Sequence, residues 1–325
     1  MIYFIFTFFS TLSFANDASS SIGVGGLEPK KNTVVQMESE VLKISPTLIS
    51  IDYVFYNPSQ KDETVLVSFP LPDIDVNQTE TLINALRSTG KKDPKDIVGF
   101  SVSVNGKTKK FQTEQKAMLG NKDVTALLKE SKLSIFPWFS DPKIYAESLR
   151  KLTPEQKKNI VKAGLVAANS LENEKTNIGN GDEWDPRFLY VVKTQFYWKQ
   201  TFPKKSRTKI HHEYIPMTGS AYGPNFPNKK EELERIDEEG FCGTQSDFLA
   251  SNVPKDSCKS HQDIEYILTT AKTWKGNIKK FTLELKDMRF VFTCFEKIKR
   301  VDATNWKFTA QNYSPKDDLK IAFCN

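Results

Sequence analysis

Apolar and polar residues alternate in short stretches along this chain, and Pro, Asn and Gly separate the stretches. Thr47 to Tyr56, TLISIDYVFY, alternates most clearly and is followed by the turn Asn57-Pro58-Ser59. Val34 to Ile44 alternates less regularly, and Glu63 to Pro70, ETVLVSFP, predicts a further strand stopped by Pro70 and Pro72. Ile97 to Val104 and Lys107 to Phe111 flank Asn105-Gly106, a two-residue hairpin signal. The pattern returns at Phe188 to Trp198, Lys209 to Ile215, Asp263 to Thr270 and Ile278 to Leu285. It closes with Phe290 to Phe295, Trp306 to Phe308 and Leu319 to Phe323. A period of two bounded by turn residues predicts antiparallel strands and argues against βαβ units.

The pattern changes between residues 112 and 180. Glu114 to Leu119 and Val124 to Leu128 have helical spacing, and Ser140 to Leu149 predicts another helical piece. Thr153-Pro154-Glu155-Gln156 then opens the clearest helix, expected to run to about Ser170. Thr153 is placed to cap it, Pro154 suits the first helical position, and Gln156 completes a capping box. Ile160, Val161, Gly164, Leu165 and Ala168 make its apolar stripe, with Lys157, Lys158 and Lys162 on the wet side. Lys230 to Glu239 is charged and also reads as helical. The expected fold is mainly β: antiparallel β-sandwich structure with an inserted helical region.

The first fifteen residues, MIYFIFTFFSTLSFA, are an apolar run with Ser13 and Ala15 at minus three and minus one before Asn16. That is the layout of a secretory signal peptide, although no Lys or Arg precedes the run. The run is short of the roughly 20 residues a spanning helix needs, and no later stretch is both long and uncharged enough. The predicted organisation is therefore a signal peptide over 1–15, an N-terminal β region over 16–111, a helical insertion over 112–180 and a C-terminal β region over 181–325. Residues 16–32, rich in Ser and Gly, read as a flexible lead-in.

Export gives the cysteines meaning. All four, Cys242, Cys258, Cys294 and Cys324, lie in the C-terminal region, and an even number in an oxidising compartment predicts two disulfides. Of three connectivities, Cys242 with Cys258 and Cys294 with Cys324 is the preferred one. There is no CxxC pair for zinc. The net charge of +6, from 46 basic and 40 acidic residues, is a weak bias spread along the chain and does not predict nucleic-acid binding.

Candidates for chemistry are few. His211 and His212 are adjacent on a predicted strand and point to opposite faces, so they do not ligate one metal; Glu213 shares a face with His211. A third site would need His261 brought in by the fold. No GxSxG elbow supports a serine hydrolase. Asp182, Glu183 and Asp185 surround Trp184, which suggests sugar contact more readily than a glycosidase pair. Asp73-Ile74-Asp75 lacks the loop of a calcium hand, and Gly23-x-Gly25-Gly26 has no phosphate-loop sequel. No metal or cofactor is expected. Ile135, Phe136, Trp138 and Phe139 form an apolar knot that either plugs the sheet under the helices or contacts a partner. Trp184, Tyr222 and Phe226 are further binding candidates.

Several segments together resemble an uncharacterised family of exported bacterial proteins, domain of unknown function 4424. They are Asn16-Asp17 through Gly23 to Leu27, the strand pair from Ile44 to Ile74, the YIP of Tyr214 to Pro216, Glu265 to Leu285, and Trp306 to Phe323. The resemblance implies a β-rich protein of the bacterial cell envelope and carries over no activity or catalytic residue. The strand-turn-strand ending in FPLP also looks like the opening of adhesion-associated β-sandwich modules, an analogy of fold alone. The expected role is non-catalytic: binding or scaffolding of a protein, glycan or envelope component in the periplasm or outside the cell. The competing class is a hydrolase acting on envelope polymer or polysaccharide.

Overall fold

The computed structural model describes residues 16–23, 26–32, 34–76, 93–137, 147–167, 171, 188–222, 237, 240–242, 260–295 and 298–324. The strands are, in chain order, β1 (Ala18–Gly23), β2 (Gly26–Pro29), β3 (Gln36–Ile44), β4 (Ile49–Asn57), β5 (Glu63–Pro70), β6 (Ile74–Asp75), β7 (Ser101–Val104), β8 (Lys107–Thr108), β9 (Gln112–Leu119) and β10 (Lys122–Asp123). Two helices follow, α1 (Thr125–Glu130) and α2 (Pro154–Lys162). Then come β11 (Val191–Phe202), β12 (Ser206–Tyr214), β13 (Gly219–Tyr222), β14 (Ser260–Tyr266), β15 (Ile278–Leu285), β16 (Phe290–Phe292), β17 (Lys299–Arg300), β18 (Trp306–Tyr313) and β19 (Leu319–Cys324).

These strands make three sheets. The first runs β10-β9-β11-β5-β1-β2, with β6 also on β11; the second runs β17-β18-β15-β3-β4-β12-β7-β8; the third runs β13-β14-β19-β16. N-terminal and C-terminal strands are therefore interleaved, β5 against β11 and β3 against β15, and both halves of the chain share one hydrophobic core. The β3–β15 pair is parallel, whereas the other strand pairs of the described residues are antiparallel.

The period-two pattern does the positioning. On β4, Ile49, Ile51, Tyr53, Phe55 and Asn57 all face inward, and on β12 so do Thr208, Ile210, His212 and Tyr214. The facing strand β11 contributes Phe196, Trp198 and Phe202 from the first sheet. Phe69 stacks on Phe100 at 5.1 Å and meets Tyr214 edge-on at 5.5 Å, while Phe55 meets Phe202 at 5.5 Å. The two large sheets thus pack face to face in a sandwich-like arrangement. Asn105 and Gly106 sit at φ 51° and 77°, the left-handed pair a type I′ hairpin turn requires.

One irregularity in β3 matters later. Its register against β4 shifts between Met37 and Ser39, so Glu38 is an extra residue in the strand. Before the bulge Val35 and Met37 face inward; after it the inward row is Glu40, Leu42 and Ile44. The bulge switches the parity and turns a glutamate into the core. Glu38 itself faces outward and is gripped by Arg207 and Lys279.

Among the described residues the helices α1 and α2 lie in a small insertion, as expected, but its extent differs. Gln112–Leu119, in part read as helical, is strand β9, because seven of its residues pair with β11 and that ladder overrides a helical spacing of apolar positions. Residues 147–150 are helical. Helix α2 begins as the sequence predicts, with Thr153 Oγ1 accepting from the Gln156 amide at 3.2 Å and Gln156 Oε1 accepting from the Thr153 amide at 2.9 Å. It stops well short of Ser170. Gly164 adopts φ 78°, its amide donates to the Val161 carbonyl, and the Leu165 amide donates to Ile160. Replacing Thr153 with Ala is expected to lower stability by about 1 kcal/mol in denaturant unfolding, with Gln156 then holding one end of a broken box.

Two further expectations are corrected. Residues 16–32 are no flexible lead-in: they supply β1 and β2, with Ser20 Oγ bonded to Ser68 Oγ at 2.6 Å and the Ser19 amide to Thr273 Oγ1 at 3.0 Å. Small polar side chains are what such close packing admits, and their partners lie too far along the chain for local composition to reveal. Cys242 is bonded to Cys294, with Cα atoms 5.0 Å apart, in place of the preferred Cys242–Cys258 and Cys294–Cys324 pairing. The bond joins the segment before β14 to the end of the β16 strand region, and Cys324 is disulfide-bonded as well. Cys258 lies outside the described residues.

Candidate functional site

A cleft of about 150 Å³ opens where all three sheets meet. The first sheet gives Leu71 and Asp73 from the β5–β6 connection, the second gives Tyr214 at the end of β12, and the third gives Asp263 and Glu265 from β14. Pro216 and Met217 add an apolar wall. Asp263 and Glu265 are two apart on one strand, so both carboxylates fall on the same face. A Cβ at Gly219 would collide with the Asp263 carboxylate, so the glycine on the paired strand is what lets that carboxylate lie close.

Lysines stand behind two of the three acids. Lys193 lies 3.4 Å from Asp73 and Lys320 lies 3.0 Å from Glu265. Burial pushes the Asp73 carboxyl above its ordinary range, and Lys193 only partly offsets it. Among the described residues no histidine lines the cleft.

Beneath the cleft lies a buried polar cluster. Tyr214 lines the cleft with its ring, yet its hydroxyl is buried without a partner, and burial raises its pKa far above that of a free phenol. The Tyr266 phenol, whose ionisation the Tyr214 hydroxyl influences, is 3.3 Å from the Tyr53 hydroxyl. Tyr53 donates to Asn16 Oδ1 at 2.5 Å, and the Asn16 amide donates to both Glu40 oxygens at 3.2 and 3.1 Å. Asp17 pairs with His212 Nε2 at 2.9 Å, while the Trp274 indole donates to the Asp17 carbonyl at 2.6 Å. Burial raises the Asp17 carboxyl despite the His212 imidazole, and it raises Glu40 to about 8, helped by the neighbouring Asp17.

The histidines behave as their strand positions predict. His212 is wholly buried, while His211 is on the outer face between Asp52 at 2.8 Å and Glu213 at 3.2 Å. Phe136, expected either to plug the sheet or to contact a partner, is buried in the core and plugs. Trp138, Phe139, Trp184 and Phe226 lie outside the described residues, as does the expected signal peptide over 1–15; Tyr222 is in β13, paired with Ser260, and its side chain is likewise not described. Among the described residues no group of three His, Cys, Asp or Glu could hold a metal, and no helix is long and apolar enough to cross a membrane. The sequence reading singled out Asp73 beside Asp75; the fold instead brings Asp73 to Asp263 and Glu265.

A family model described as "Domain of unknown function (DUF4424)" matches residues 15–322. The chain belongs to the DUF4424 family. Three of the segments by which it resembles that family meet in the cleft: the Ile44 to Ile74 segment supplies Leu71 and Asp73, the YIP segment supplies Tyr214 and Pro216, and the Glu265 to Leu285 segment begins with Glu265. No curated protein matches the DUF4424 chain in sequence. A solved structure from Legionella pneumophila, described as a candidate nutrient binding protein, is similar with a TM-score of 0.45 and 15% identity, over 96% of this chain and 70% of that one.

Proposed function

We propose that this chain is an exported β-sandwich protein of the bacterial envelope that works by binding, without covalent chemistry, and that the cleft at the three-sheet junction takes a hydroxyl-rich ligand such as an envelope glycan. The observation that carries this reading is the composition of the wall. Asp73, Asp263 and Glu265 are acceptors only when ionised, and they face an apolar side made by Leu71, Pro216 and Met217. Such a wall selects a ligand that presents donors on one side and carbon on the other, as a sugar ring does. Lys193 and Lys320 hold two of the carboxylates in place while leaving lone pairs for ligand hydroxyls.

The test is calorimetric titration of the mature protein with soluble oligosaccharides released from bacterial envelope polymer, with the products then examined for cleavage. Binding without turnover is expected. Asp263→Asn is expected to weaken that binding about tenfold or more at unchanged melting temperature, the loss of a charge-assisted hydrogen bond. Absence of binding, or an affinity indifferent to Asp263, would sink the assignment of the cleft. Turnover would replace binding with hydrolysis.

A further inference from the structure

Asn16 and Asp17 directly follow the leader-like run, and both are wholly buried. Every polar part of the Asn16 side chain is held, its amide by Glu40 and its oxygen by Tyr53, and its carbonyl accepts from Thr270 Oγ1 at 2.8 Å. Two acids lie at this position: Glu40, turned inward by the β3 bulge, and Asp17, in the segment just before β1. The other titratable groups around them are His212, Tyr53, Tyr266, Tyr214 and, on β18, Tyr313. Among the described groups acting on either carboxylate there is no lysine or arginine. Asp17 Oδ2 is buried with no hydrogen-bond partner at all. This is a pair of buried carboxyl groups with no lysine or arginine beside them among the described residues, and an unpaired buried carboxylate is strongly unfavourable.

One nitrogen whose charge changes on processing is the backbone nitrogen of Asn16. Covalent geometry keeps it within about 5 Å of the Asn16 side-chain amide, which itself touches both Glu40 oxygens. In the unprocessed chain that nitrogen is a neutral peptide amide.

We propose that the α-ammonium group released on Asn16 by cleavage after Ala15 is the missing cation of this site, forming an internal ion pair with Glu40 and Asp17 that locks the N-terminal strand only in the processed chain. The inference rests on the export reading, because a leader must be removed at that bond. The step is a hydrolysis by a leader-cleaving protease: water supplies the hydroxyl to the Ala15 carbonyl and a proton to the Asn16 nitrogen, which takes up a further proton at neutral pH. The α-amino group is the right cation because it arrives with no side chain to bury and its position is already fixed by the Asn16 contacts.

Charge linkage gives the proposal a signature. With an uncharged nitrogen at Asn16, Glu40 has a folded-state pKa of about 8 against an ordinary 4.5. A raised acid binds its proton more tightly in the folded state, so stability falls as pH rises from 4.5 through 8. The ammonium draws the Glu40 carboxyl down and removes that loss across neutral pH. Its own contribution disappears only above its folded-state pKa, which the carboxylates raise.

Intact-mass spectrometry of protein recovered after export comes first. Asn16 as the first residue is expected; another start overturns the ion pair together with the export reading. The chain beginning at Asn16 is then compared with one carrying Gly-Ser before Asn16, each with and without Glu40→Gln. The Asn16 form is expected to melt about 5 °C higher or more at pH 7.5. Glu40→Gln should lower melting in the Asn16 form and raise it in the extended form. Equal melting, with Glu40→Gln acting alike in both, overturns the ion pair while leaving export intact. A readout that needs no variant is acylation of the native Asn16 amine by an N-hydroxysuccinimide ester, read by peptide mass: protection until unfolding is expected, and ready acylation overturns the proposal.

Discussion

Trp274→Ala is expected to destabilise the protein by about 3–5 kcal/mol, read as a shift in the urea unfolding midpoint at pH 7. Trp274 ends the short 3-10 helix Thr269–Thr273 and is 1% exposed. Its ring packs on Phe55 at 4.6 Å and on Phe202 at 5.7 Å, so it touches strands of both large sheets. Its indole nitrogen also donates to the Asp17 carbonyl. The alanine variant loses the area, leaves a cavity and orphans that carbonyl. Trp274→Phe separates the contributions: it keeps most of the packing and should cost about 1–3 kcal/mol, the penalty for a buried acceptor left without its donor. If the two variants cost the same, the hydrogen bond carries the effect and the packing argument fails. With total stability of about 5–15 kcal/mol for a domain, the alanine change alone removes a large share.

The strands were legible because each inward row is apolar every second residue. Ile49 to Asn57 follows that rule residue by residue, while ETVLVSFP and Ile278 to Leu285 fall where the sequence predicts strands although their burial is not strictly alternate. The capping box at Thr153 was legible for a similar reason: a local motif uses local partners. What the local pattern could not carry was pairing across long separations. Strand β9 is a strand because of β11, some eighty residues later, and β1 is ordered by Ser68 and Thr273. The disulfide from Cys242 to Cys294 spans 52 residues and depends on how the third sheet is assembled, which composition does not encode.

The buried cluster did leave a trace. Glu40-x-Leu42-x-Ile44 and Ile210-x-His212-x-Tyr214 each place a titratable residue in an apolar row, and Tyr53 continues Ile49-x-Ile51. A charged residue in phase with buried neighbours marks an interior polar site, because such a residue is retained in a core only with partners. The partner of His212 is not local: Asp17 stands 195 residues away, in a segment whose Ser and Gly content reads as flexible. The cleft was less legible still. Asp73 and Asp263 come from different sheets, and only the three-sheet junction makes them neighbours.

His212→Leu is the second large effect expected, about 3–5 kcal/mol at pH 7. His212 is enclosed by Tyr53, Phe69, Phe100 and Trp198, with ring centres 5.2 to 5.5 Å away, and its one hydrogen-bond partner is Asp17. Leucine fills most of the volume, so the cost is electrostatic: Asp17 Oδ1 loses its hydrogen-bond partner, as Oδ2 already lacks one. The double change Asp17→Leu with His212→Leu should therefore cost less than the sum of the singles, since removing both partners removes the need for pairing. Dependence on pH fixes the sign. Asp17 already has a folded-state pKa above its ordinary 3.8, because burial outweighs the imidazole, and loss of His212 raises it further. Protonated Asp17 needs no cation, so the His212→Leu penalty should be small near pH 4 and grow as pH rises toward 7. A penalty that stays constant across that range would mean that shape, and not the buried carboxylate, sets the role of His212.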